Sequence, residues 1–374
     1  MISSLSLLKV LKKNKINFYS GVPDSVLKSF IKLIENNKKK HFVCPNEGLA
    51  VSLNIGNYLS TKEIGLTYLQ NSGLGNAINP LISICHKQVY SIPMVLLIGW
   101  RGAPGLKDEP QHLTKGKVTK KILNLLSIKS IELKKKSDLT KVNKLIQFAK
   151  IQKEPVAILI KNNILKEEIR NDKAISSHKK PFFFQKGIKR SEVIEYLLEK
   201  IKKKTKIIST TGFTSRELHQ IRSKNNVKYG DDFYMVGGMG HASTVASGVV
   251  MNLKSHQVIC IDGDGSAIMH LGALLLSSKI NNRNFKHIIL NNYVHESVGG
   301  FSSGIENIKI SKIAKACGYK NVFFVKDRKF LKKKLNNFLN LKDMALMEIH
   351  TNGESLSKLS RPKNFIQIKK NFMI

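Results

Sequence analysis

Short runs of branched apolar residues alternate with amphipathic helical stretches along most of the 374-residue chain. Such an alternation predicts an α/β fold built on parallel strands. The length is sufficient for two domains, each with its own core. In the first half, the predicted strands are His41–Val43, Gly65–Leu69, Met94–Ile98, Ser130–Leu133 and Val156–Ile160, with helices such as Asp24–Ile34 and Asp138–Ile151 between them.

A polar stretch from Glu167 to Lys186 separates this series from a second one. We therefore predict a first domain over 1–168, a linker over 169–186 and a second domain over 187–374. No internal repeat is visible in the residues, and the predicted fold class is α/β with two doubly wound parallel-sheet domains. The second series predicts strands at Lys206–Ser209, Phe233–Met235, Val258–Ile261, His287–Leu290, Val322–Val325 and Ala345–Ile349.

The composition narrows the range of partners. The formal net charge is +37, but the lysines form scattered runs without interleaved aromatic residues, so we expect no nucleic acid as partner. A positive field favours encounter with a small anion.

Four cysteines without a CxxC pair favour reduced thiols in the cytoplasm. The longest apolar run, Ile92–Trp100, is half a membrane span and contains a proline, so we expect neither a membrane helix nor a signal peptide.

The most informative segment lies between two predicted strands. Val258–Ile261 is followed by Asp262-Gly263-Asp264-Gly265-Ser266 and a helical run to about Lys279. A glycine-rich turn lets the backbone approach a phosphate, and a helix N-terminus favours the same anion. Asp264, together with Asn292 after the next strand, offers oxygen ligands of the kind that Mg²⁺ prefers. The segment predicts a diphosphate–magnesium site; the alternative is a strand-to-helix turn that binds nothing.

The spacing within this segment matches a known signature. Gly263-Asp264-Gly265, then 25 residues, then Asn291-Asn292 is the pattern of thiamine diphosphate enzymes. The chemistry of that cofactor needs a carboxyl group against N1′ of its aminopyrimidine, best partly buried with a raised pKa. Glu47, shortly after the strand His41–Val43, is the candidate. The alternative for Glu47 is a favourable charge in the first turn of a helix.

Two further loops fit the same cofactor. Gly237-Gly238-Met239-Gly240-His241 follows the strand Phe233–Met235. The resemblance to thiamine diphosphate enzymes assigns Met239 as the bulky residue that holds the cofactor bent, and the Gly237 carbonyl as acceptor for its 4′-amino group. Thr210-Thr211-Gly212 ends another strand and is compatible with hydroxyl contacts to a diphosphate. The alternative for the first loop is an ordinary glycine loop with a core methionine.

Taken together, the segments resemble the phosphonopyruvate decarboxylase family and its relative sulfopyruvate decarboxylase over nearly the whole chain. The most specific are Gly99-Trp100-Arg101-Gly102 and Lys107-Asp108-Glu109-Pro110-Gln111-His112, which pyruvate and benzoylformate decarboxylases do not share. The remaining segments are Gly21-Val22-Pro23-Asp24-Ser25, Asn46-Glu47-Gly48, Gln70-Asn71-Ser72-Gly73-Leu74-Gly75-Asn76, Ser91-Ile92-Pro93-Met94, Gly240-His241-Ala242-Ser243 and His295-Glu296-Ser297-Val298-Gly299-Gly300.

The resemblance implies a pyrimidine-binding domain first and a diphosphate-binding domain second. It implies a homodimer or higher homo-oligomer with active sites between subunits, so that Glu47 of one chain faces the cofactor held by another. The implied reaction is the thiamine diphosphate- and Mg²⁺-dependent decarboxylation of a small anionic 2-keto acid. For 3-phosphonopyruvate the products are phosphonoacetaldehyde and CO₂, an intermediate step of phosphonate biosynthesis.

The resemblance also implies roles for individual residues. Asp24 and His112 would be catalytic in addition to Glu47, and they would transfer protons. The residues that would contact the substrate are Arg101, Lys107 and His295. Arg101 and Lys107 suit a phosphonate, because cations bind its oxygens; the alternative for both is a surface loop charge. The implied cofactor-binding residues are Glu47, Thr210, Thr211, Gly212, Gly237, Met239, His241, Gly263, Asp264, Gly265, Ser266 and Asn292, and the implied metal-binding residues are Asp264, Asn292 and Val294.

The chain departs from the family pattern at two positions. Tyr293 stands where we expect a small residue, and Glu296 stands where we expect an aspartate. The substrate is therefore less fixed than the cofactor. Sulfopyruvate decarboxylase and a carboligase acting on another 2-keto acid remain alternatives, as do a catalytically silent scaffold and a basic nucleic-acid-binding protein.

Overall fold

The computed structural model describes residues 1–35, 40–166, 187–224, 232–253 and 255–373. The chain divides into two compact units, Met1–Ser177 and His178–Ile374. Each unit contains a six-stranded sheet in which all neighbouring strands are parallel. The predicted fold class is thereby confirmed. The predicted linker, 169–186, lies outside the described residues.

The first unit orders its main sheet β3-β2-β4-β5-β7-β6 and adds a short parallel pair, β1-β8. Its strands are β1 (Ile2–Ser3), β2 (Tyr19–Gly21), β3 (His41–Val43), β4 (Leu66–Gln70), β5 (Val95–Gly99), β6 (Lys129–Leu133), β7 (Val156–Ile160) and β8 (Leu165–Lys166). Its helices are α1 (Ser4–Lys13), α2 (Lys28–Ile34), α3 (Glu47–Thr61), α4 (Leu74–Pro80), α5 (Pro110–Leu125) and α6 (Leu139–Gln152).

The second unit orders its main sheet β10-β9-β11-β12-β16-β15 and adds an antiparallel pair, β13-β14. Its strands are β9 (Thr205–Ser209), β10 (Phe233–Tyr234), β11 (Gln257–Gly263), β12 (Phe285–Asn291), β13 (Val294–His295), β14 (Phe301–Ser302), β15 (Asn321–Val325) and β16 (Ala345–His350). Its helices are α7 (Arg190–Lys200), α8 (Phe213–Lys224), α9 (Ala242–Asn252), α10 (Asp264–Met269), α11 (Gly272–Ile280), α12 (Ile310–Ala316), α13 (Arg328–Asn340) and α14 (Phe365–Met373).

The two main sheets share one topology. Numbered in chain order within each sheet, both read 2-1-3-4-6-5. The strand order reverses between the first and third strands, and ligands of open α/β sheets bind at the carboxyl ends of the strands at that point. In the first unit this is the end of β2 and β4, and in the second unit the end of β9 and β11. The repeat that the residues do not show is therefore present in the strand order.

Most predicted elements are confirmed with shifts of one or two residues. Three differences are informative. The three-residue strand β2 was not predicted, because it contains no apolar run. Asp24–Leu27 is not helical, because the Asp24 carboxylate accepts the backbone N–H groups of Val26 and Leu27 and holds a turn there. The long helical run after Ser266 forms two helices, because the backbone of His270 (φ −130°, ψ 64°) leaves the helical region.

Each unit buries its own core. In the first unit, β5 and β7 are buried along their whole length. In the second unit, separate apolar clusters lie on the two faces of the sheet, one around Phe338 and one around Phe285. The four cysteines, all among the described residues, are free thiols. Within the described part of the chain, no helix combines the length and the apolar character that a bilayer crossing requires.

Candidate active site

Three loops of the second unit meet at the carboxyl ends of β9 and β11. The hydroxyl of Thr210 donates to Oγ of Ser266 at 2.8 Å, and the backbone N–H of Gly240 donates to the same atom at 3.0 Å. Ser266 is buried. Since its oxygen accepts both bonds, its own hydroxyl hydrogen is the group left to donate to an anion such as a phosphate oxygen. Three segments that the sequence singles out are thus brought together.

The other predicted residues of these loops line the same region. Thr211, Gly212, Gly237 and Met239 are partly exposed, and His241 is exposed. The Nδ1 atom of His241 lies 3.1 Å from the carbonyl oxygen of Met239. The ring of His241 packs on that of His270, with the centroids 4.5 Å apart. The loop is therefore held by its own backbone and by the end of α10.

Asp264 begins α10 and is buried, with 3% of its surface exposed. Its Oδ2 accepts the hydroxyl of Ser303 at 2.6 Å, and the backbone N–H of Asn292 also donates to the carboxylate. Burial raises the pKa of Asp264 to about 7. A buried carboxylate of this kind is stabilised in its ionised form by a bound cation, because the ion's charge opposes the desolvation penalty.

The departure at Glu296 has a structural reason. Oε2 of Glu296 accepts the side-chain amide of Asn292 at 3.1 Å and Nη1 of Arg190 at 2.9 Å. Arg190 is buried and also binds Glu217 through two parallel hydrogen bonds of 2.9 and 3.0 Å. Oδ1 of Asn292 accepts the backbone N–H of Val294 at 3.2 Å. Both the Nδ2 and the Oδ1 atom of Asn292 are therefore hydrogen-bonded, which fixes the orientation of the amide.

The departure at Tyr293 also has a defined partner. Tyr293 adopts a positive φ of 62°, and its hydroxyl lies 2.9 Å from Nε2 of His350 on β16.

The neighbouring His295 is buried, and no described residue is a hydrogen-bond partner of its Nε2. Burial lowers the pKa of His295 to about 4. A Cβ atom at Gly265 would lie 2.5 Å from Cε1 of His295, so the glycine allows this neutral imidazole to lie against the turn.

In the first unit, Glu47 begins α3 after the N-cap Asn46. Its side chain is buried, and Oε2 accepts the amide of Asn76 at 2.7 Å. Burial raises the pKa of Glu47. A Cβ atom at Gly73 would lie 2.0 Å from Oε1, so the glycine makes room for the carboxyl group. The carboxyl group is thus held in place and biased towards its neutral form.

Asp24 lies after β2, at the point where the strand order of the first unit reverses. It is fully buried, and its Oδ2 accepts the two backbone N–H groups described above. Its Oδ1 is buried and has no hydrogen-bond partner in the described part of the chain. Burial raises the pKa of Asp24 to about 6. Both protonation states of this carboxyl group are therefore accessible near neutral pH.

The segment after β5 contains two of the three predicted substrate contacts, Arg101 and Lys107. Arg101 forms a two-point ion pair with Asp108, with Nε to Oδ2 at 2.8 Å and Nη2 to Oδ1 at 2.5 Å. Its third nitrogen, Nη1, lies 3.5 Å from the hydroxyl of Ser25. Lys107 is exposed. His112, in the first turn of α5, has its pKa lowered to about 4 by burial, and its Nδ1 has no hydrogen-bond partner among residues 40–166 or the other described ranges.

The residues present fit the implied cofactor and metal ion. The second unit offers a buried carboxylate, an oriented amide and a hydroxyl hydrogen at one sheet edge, and the first unit offers a buried carboxyl group with a raised pKa. The sequence did not single out Asn76 or Gly73 individually, although both lie in a segment that carries the resemblance. Ser303 and Arg190 had no signal at all, since each reaches the site from a distant part of the chain.

Comparison with known proteins agrees with this geometry. The profile of the thiamine pyrophosphate enzyme N-terminal TPP binding domain matches residues 4–122, and that of the C-terminal TPP binding domain matches residues 210–349. A phosphonopyruvate decarboxylase from Streptomyces hygroscopicus is 32% identical, covering 97% of this chain and 91% of the relative. One from Streptomyces viridochromogenes is 31% identical, covering 97% and 92%.

A shorter relative matches part of the chain. A sulfopyruvate decarboxylase subunit beta from Methanocaldococcus jannaschii is 33% identical over 153 residues, covering 41% of this chain and 78% of the relative. The two Streptomyces proteins match along nearly their whole length, and both domain profiles fall on the units that contain the candidate residues. By this similarity, the chain belongs to the phosphonopyruvate decarboxylase family of thiamine pyrophosphate enzymes.

Proposed function

We propose that the chain decarboxylates 3-phosphonopyruvate to phosphonoacetaldehyde and CO₂, with thiamine diphosphate and Mg²⁺, as a carboxy-lyase of phosphonate biosynthesis. The observation that carries the proposal is the buried Glu47 carboxyl group with its raised pKa. The substrate is inferred from the phosphonopyruvate decarboxylases that match 97% of the chain.

Bound thiamine diphosphate supplies the electron sink for the electrons released as CO₂ leaves. Glu47 holds a proton at N1′ of the aminopyrimidine. Burial favours the neutral carboxyl group, which can donate this proton, and the Asn76 amide fixes Oε2. Gly73 keeps the other carboxyl oxygen free of a steric clash. The role is supported by the direction of this shift, because a raised carboxyl pKa favours proton transfer closer to neutral pH.

The second unit would hold the diphosphate and the metal ion. Asp264, Asn292 and Val294 would bind Mg²⁺, which stabilises the ionised form of the buried Asp264 carboxylate. The hydroxyl hydrogen of Ser266 and the backbone of the same turn would bind diphosphate oxygens. The remaining contacts are assigned to Thr210, Thr211, Gly212, Gly237, Met239, His241, Gly263 and Gly265.

The first unit would also supply the proton transfers and substrate contacts. Asp24, with a pKa of about 6, can both donate and accept a proton near neutral pH. His112, with a pKa of about 4, is neutral there and can accept one. Asp108 accepts one hydrogen from Nε and one from Nη2 of Arg101, so a phosphonate contact would use Nη1 or the second hydrogen of Nη2. Lys107 and, in the second unit, His295 complete the proposed substrate contacts.

We further propose a homodimer or higher homo-oligomer with active sites between subunits. In support, each unit exposes large apolar side chains on a helix that begins at or follows its candidate residues in the chain. Leu49 and Leu53 on α3 are 51% and 40% exposed, and Leu275 and Leu276 on α11 are 47% and 45% exposed. Clustered exposed apolar surface is typical of subunit interfaces.

Four free cysteines support a reducing, cytoplasmic location.

A second candidate substrate is sulfopyruvate. It is favoured by the match to a sulfopyruvate decarboxylase subunit. A sulfonate and a phosphonate require similar hydrogen-bond donors, and they differ in charge and in the number of oxygen atoms that can carry a proton. The kcat/KM values for the two substrates, measured separately, decide between them.

The test supplies purified protein, thiamine diphosphate and Mg²⁺ with phosphonopyruvate, sulfopyruvate or pyruvate, and measures CO₂ and aldehyde. We expect phosphonopyruvate to give the highest kcat/KM. A preference for sulfopyruvate would establish the second candidate, and turnover of none of the three would contradict both.

The variant Glu47→Gln tests the activating role in the same assay. We expect turnover to be lost while the fold and binding of the cofactor are retained, because glutamine keeps the shape but cannot supply the proton. The matched control is Glu63→Gln, since Glu63 is an exposed glutamate just past the end of the same helix. Normal turnover by Glu47→Gln would overturn the proposed activation.

A further inference from the structure

Three potential metal ligands lie together in the core of the second unit. Cys260 and Asp262 are two residues apart on β11, so their side chains lie on the same face of the sheet. His287 on β12 pairs in register with Cys260 and therefore lies on that face as well. One ligand atom from each side chain lies within 4.8 Å of the others. All three side chains are fully buried.

Two of these side chains have unsatisfied polar atoms. Oδ2 of Asp262 and both ring nitrogens of His287 have no hydrogen-bond partner among the described residues. Leaving a buried polar atom without a partner costs about 1–3 kcal/mol, and more for a charged group. Folded proteins therefore rarely leave three such atoms side by side. The cluster requires a partner that the described part of the chain does not provide.

The distance between the two side chains indicates what that partner is. Nε2 of His287 lies 3.7 Å from Oδ2 of Asp262, which is too long for a hydrogen bond. Two ligands of a tetrahedral zinc ion with bonds of about 2.0–2.3 Å are separated by about 3.5 Å. The carboxylate and the imidazole thus already have the spacing of two ligands on one ion.

The chemistry of the ligand set selects the ion. A thiolate and an imidazole are ligands that zinc prefers, whereas Mg²⁺ prefers oxygen alone. A Cys260 thiolate and an Asp262 carboxylate together neutralise a divalent charge, which removes most of the penalty for burying it. Most of the surrounding side chains are apolar, among them Val258, Phe285 and Ile289, and the hydroxyl of Tyr319 lies in the same cluster.

We propose that Cys260 Sγ, Asp262 Oδ2 and a ring nitrogen of His287 bind one zinc ion. Binding forms the zinc–sulfur bond and releases the thiol proton to solvent. The three side chains supply three of the four positions of a tetrahedral zinc ion, and the site is distinct from the proposed Mg²⁺ site at Asp264 and Asn292. The other carboxylate oxygen, Oδ1 of Asp262, accepts the backbone N–H of Gly263 at 3.0 Å. The zinc ion therefore fixes the end of β11 from which the diphosphate-binding turn departs.

The first test measures metal content. Full-length protein is produced in zinc-supplemented medium and purified with Mg²⁺ present, and zinc is quantified by plasma mass spectrometry. We expect one zinc ion per chain. A zinc-selective chelator should remove it and lower Tm, with Mg²⁺ still in excess, and added Zn²⁺ should restore Tm. Zinc-free protein whose Tm does not respond to Zn²⁺ would overturn the proposal, whatever its decarboxylase activity.

Cobalt substitution and variants then identify the ligands. Protein loaded with Co²⁺ should show the near-ultraviolet absorption of a thiolate–cobalt bond. Cys260→Ser and His287→Gln should each lose that absorption and most of the bound zinc, whereas Cys317→Ser, which changes a cysteine outside the cluster, should keep both. Asp264→Asn should keep the zinc as well. Zinc bound at the wild-type level by Cys260→Ser or His287→Gln would contradict the assignment, and the metal content of the wild-type protein decides alone if a variant fails to fold.

Discussion

The side-chain amide of Asn292 donates a hydrogen bond of 3.1 Å to Oε2 of Glu296, four residues further along the chain. The same carboxylate oxygen accepts a hydrogen bond from the buried Arg190. The proposed metal ligand is therefore oriented by a residue that stands where the family pattern has an aspartate. The extra methylene group of glutamate lets one carboxylate reach both partners.

Shortening this residue should weaken the metal site. In Glu296→Asp the carboxylate no longer spans Asn292 and Arg190, so the amide loses its fixed orientation. We expect the affinity for Mg²⁺, measured by calorimetry in the presence of thiamine diphosphate, to fall by about 10-fold or more, as is usual when a residue that orients a metal ligand is changed. Glu354→Gln, at an exposed ion pair with Lys189, is the control and should bind Mg²⁺ normally. Unchanged affinity in Glu296→Asp would show that Asn292 needs no such support.

An alanine at Gly73 should displace the Glu47 carboxyl group. The added Cβ atom would lie 2.0 Å from Oε1, and the backbone at Gly73 (φ −82°, ψ −5°) tolerates an alanine. We expect kcat/KM to fall by about 100-fold, the lower end of the contribution of a positioned acid or base. Gly75→Ala is the matched control, since a Cβ atom there meets nothing within 4 Å. Equal activities of the two variants would contradict the steric argument.

The buried Asp24 should make stability depend on pH. Its pKa is about 6 in the folded protein and 3.8 as the reference value, so the folded state binds the proton more tightly. The stabilisation by the bound proton is full below about pH 4 and is lost as the pH rises through 6. It amounts to about 3 kcal/mol at most. In Asp24→Asn, the fall in the free energy of unfolding between pH 4 and pH 8, measured with urea, should shrink by up to this amount. An unchanged fall would show that Asp24 titrates normally.

Removing Arg190 should destabilise the second unit. Arg190→Ala leaves the buried Glu217 carboxylate without its two-point partner, and loss of one member of a buried ion pair costs about 3–5 kcal/mol. The comparison is Arg328→Ala, which breaks an ion pair with Glu192 in which the arginine side chain is 69% exposed. That change should cost about 1 kcal/mol or less. Denaturant unfolding followed by circular dichroism measures both, and similar losses would contradict the assigned role of burial.

The sequence was sufficient to predict the elements that carry continuous apolar runs. Strands β5 and β7 are buried along their length, and their runs of Val, Leu and Ile predict them directly. Strand β2, Tyr-Ser-Gly, is buried as well but has no such run. It is stabilised by pairing on both sides, with β3 and β4, which is a long-range property. The residue pattern therefore did not predict β2, the strand that Asp24 follows in the chain.

The sequence predicted the candidate cofactor and metal ligands, but it did not predict the residues that form hydrogen bonds to them and orient them. Glu47, Asp264 and Asn292 follow strand ends in recognisable motifs, whereas Ser303 reaches Asp264 across 39 positions and Arg190 reaches Glu296 across 106. Such contacts depend on the sheet order, which no local pattern encodes. His287, whose ring nitrogens have no hydrogen-bond partner among the described residues, likewise looks like an ordinary strand residue until its neighbours are known.

The shared strand order of the two units has a consequence for how such a protein can be encoded. Among the described residues, the strands of each main sheet all come from one unit. A stop codon followed by a new start codon within the segment 167–186 would therefore interrupt none of the strands that the structure describes. One gene or two adjacent genes can therefore specify the same two sheets, because each described sheet is encoded by a continuous stretch of the reading frame.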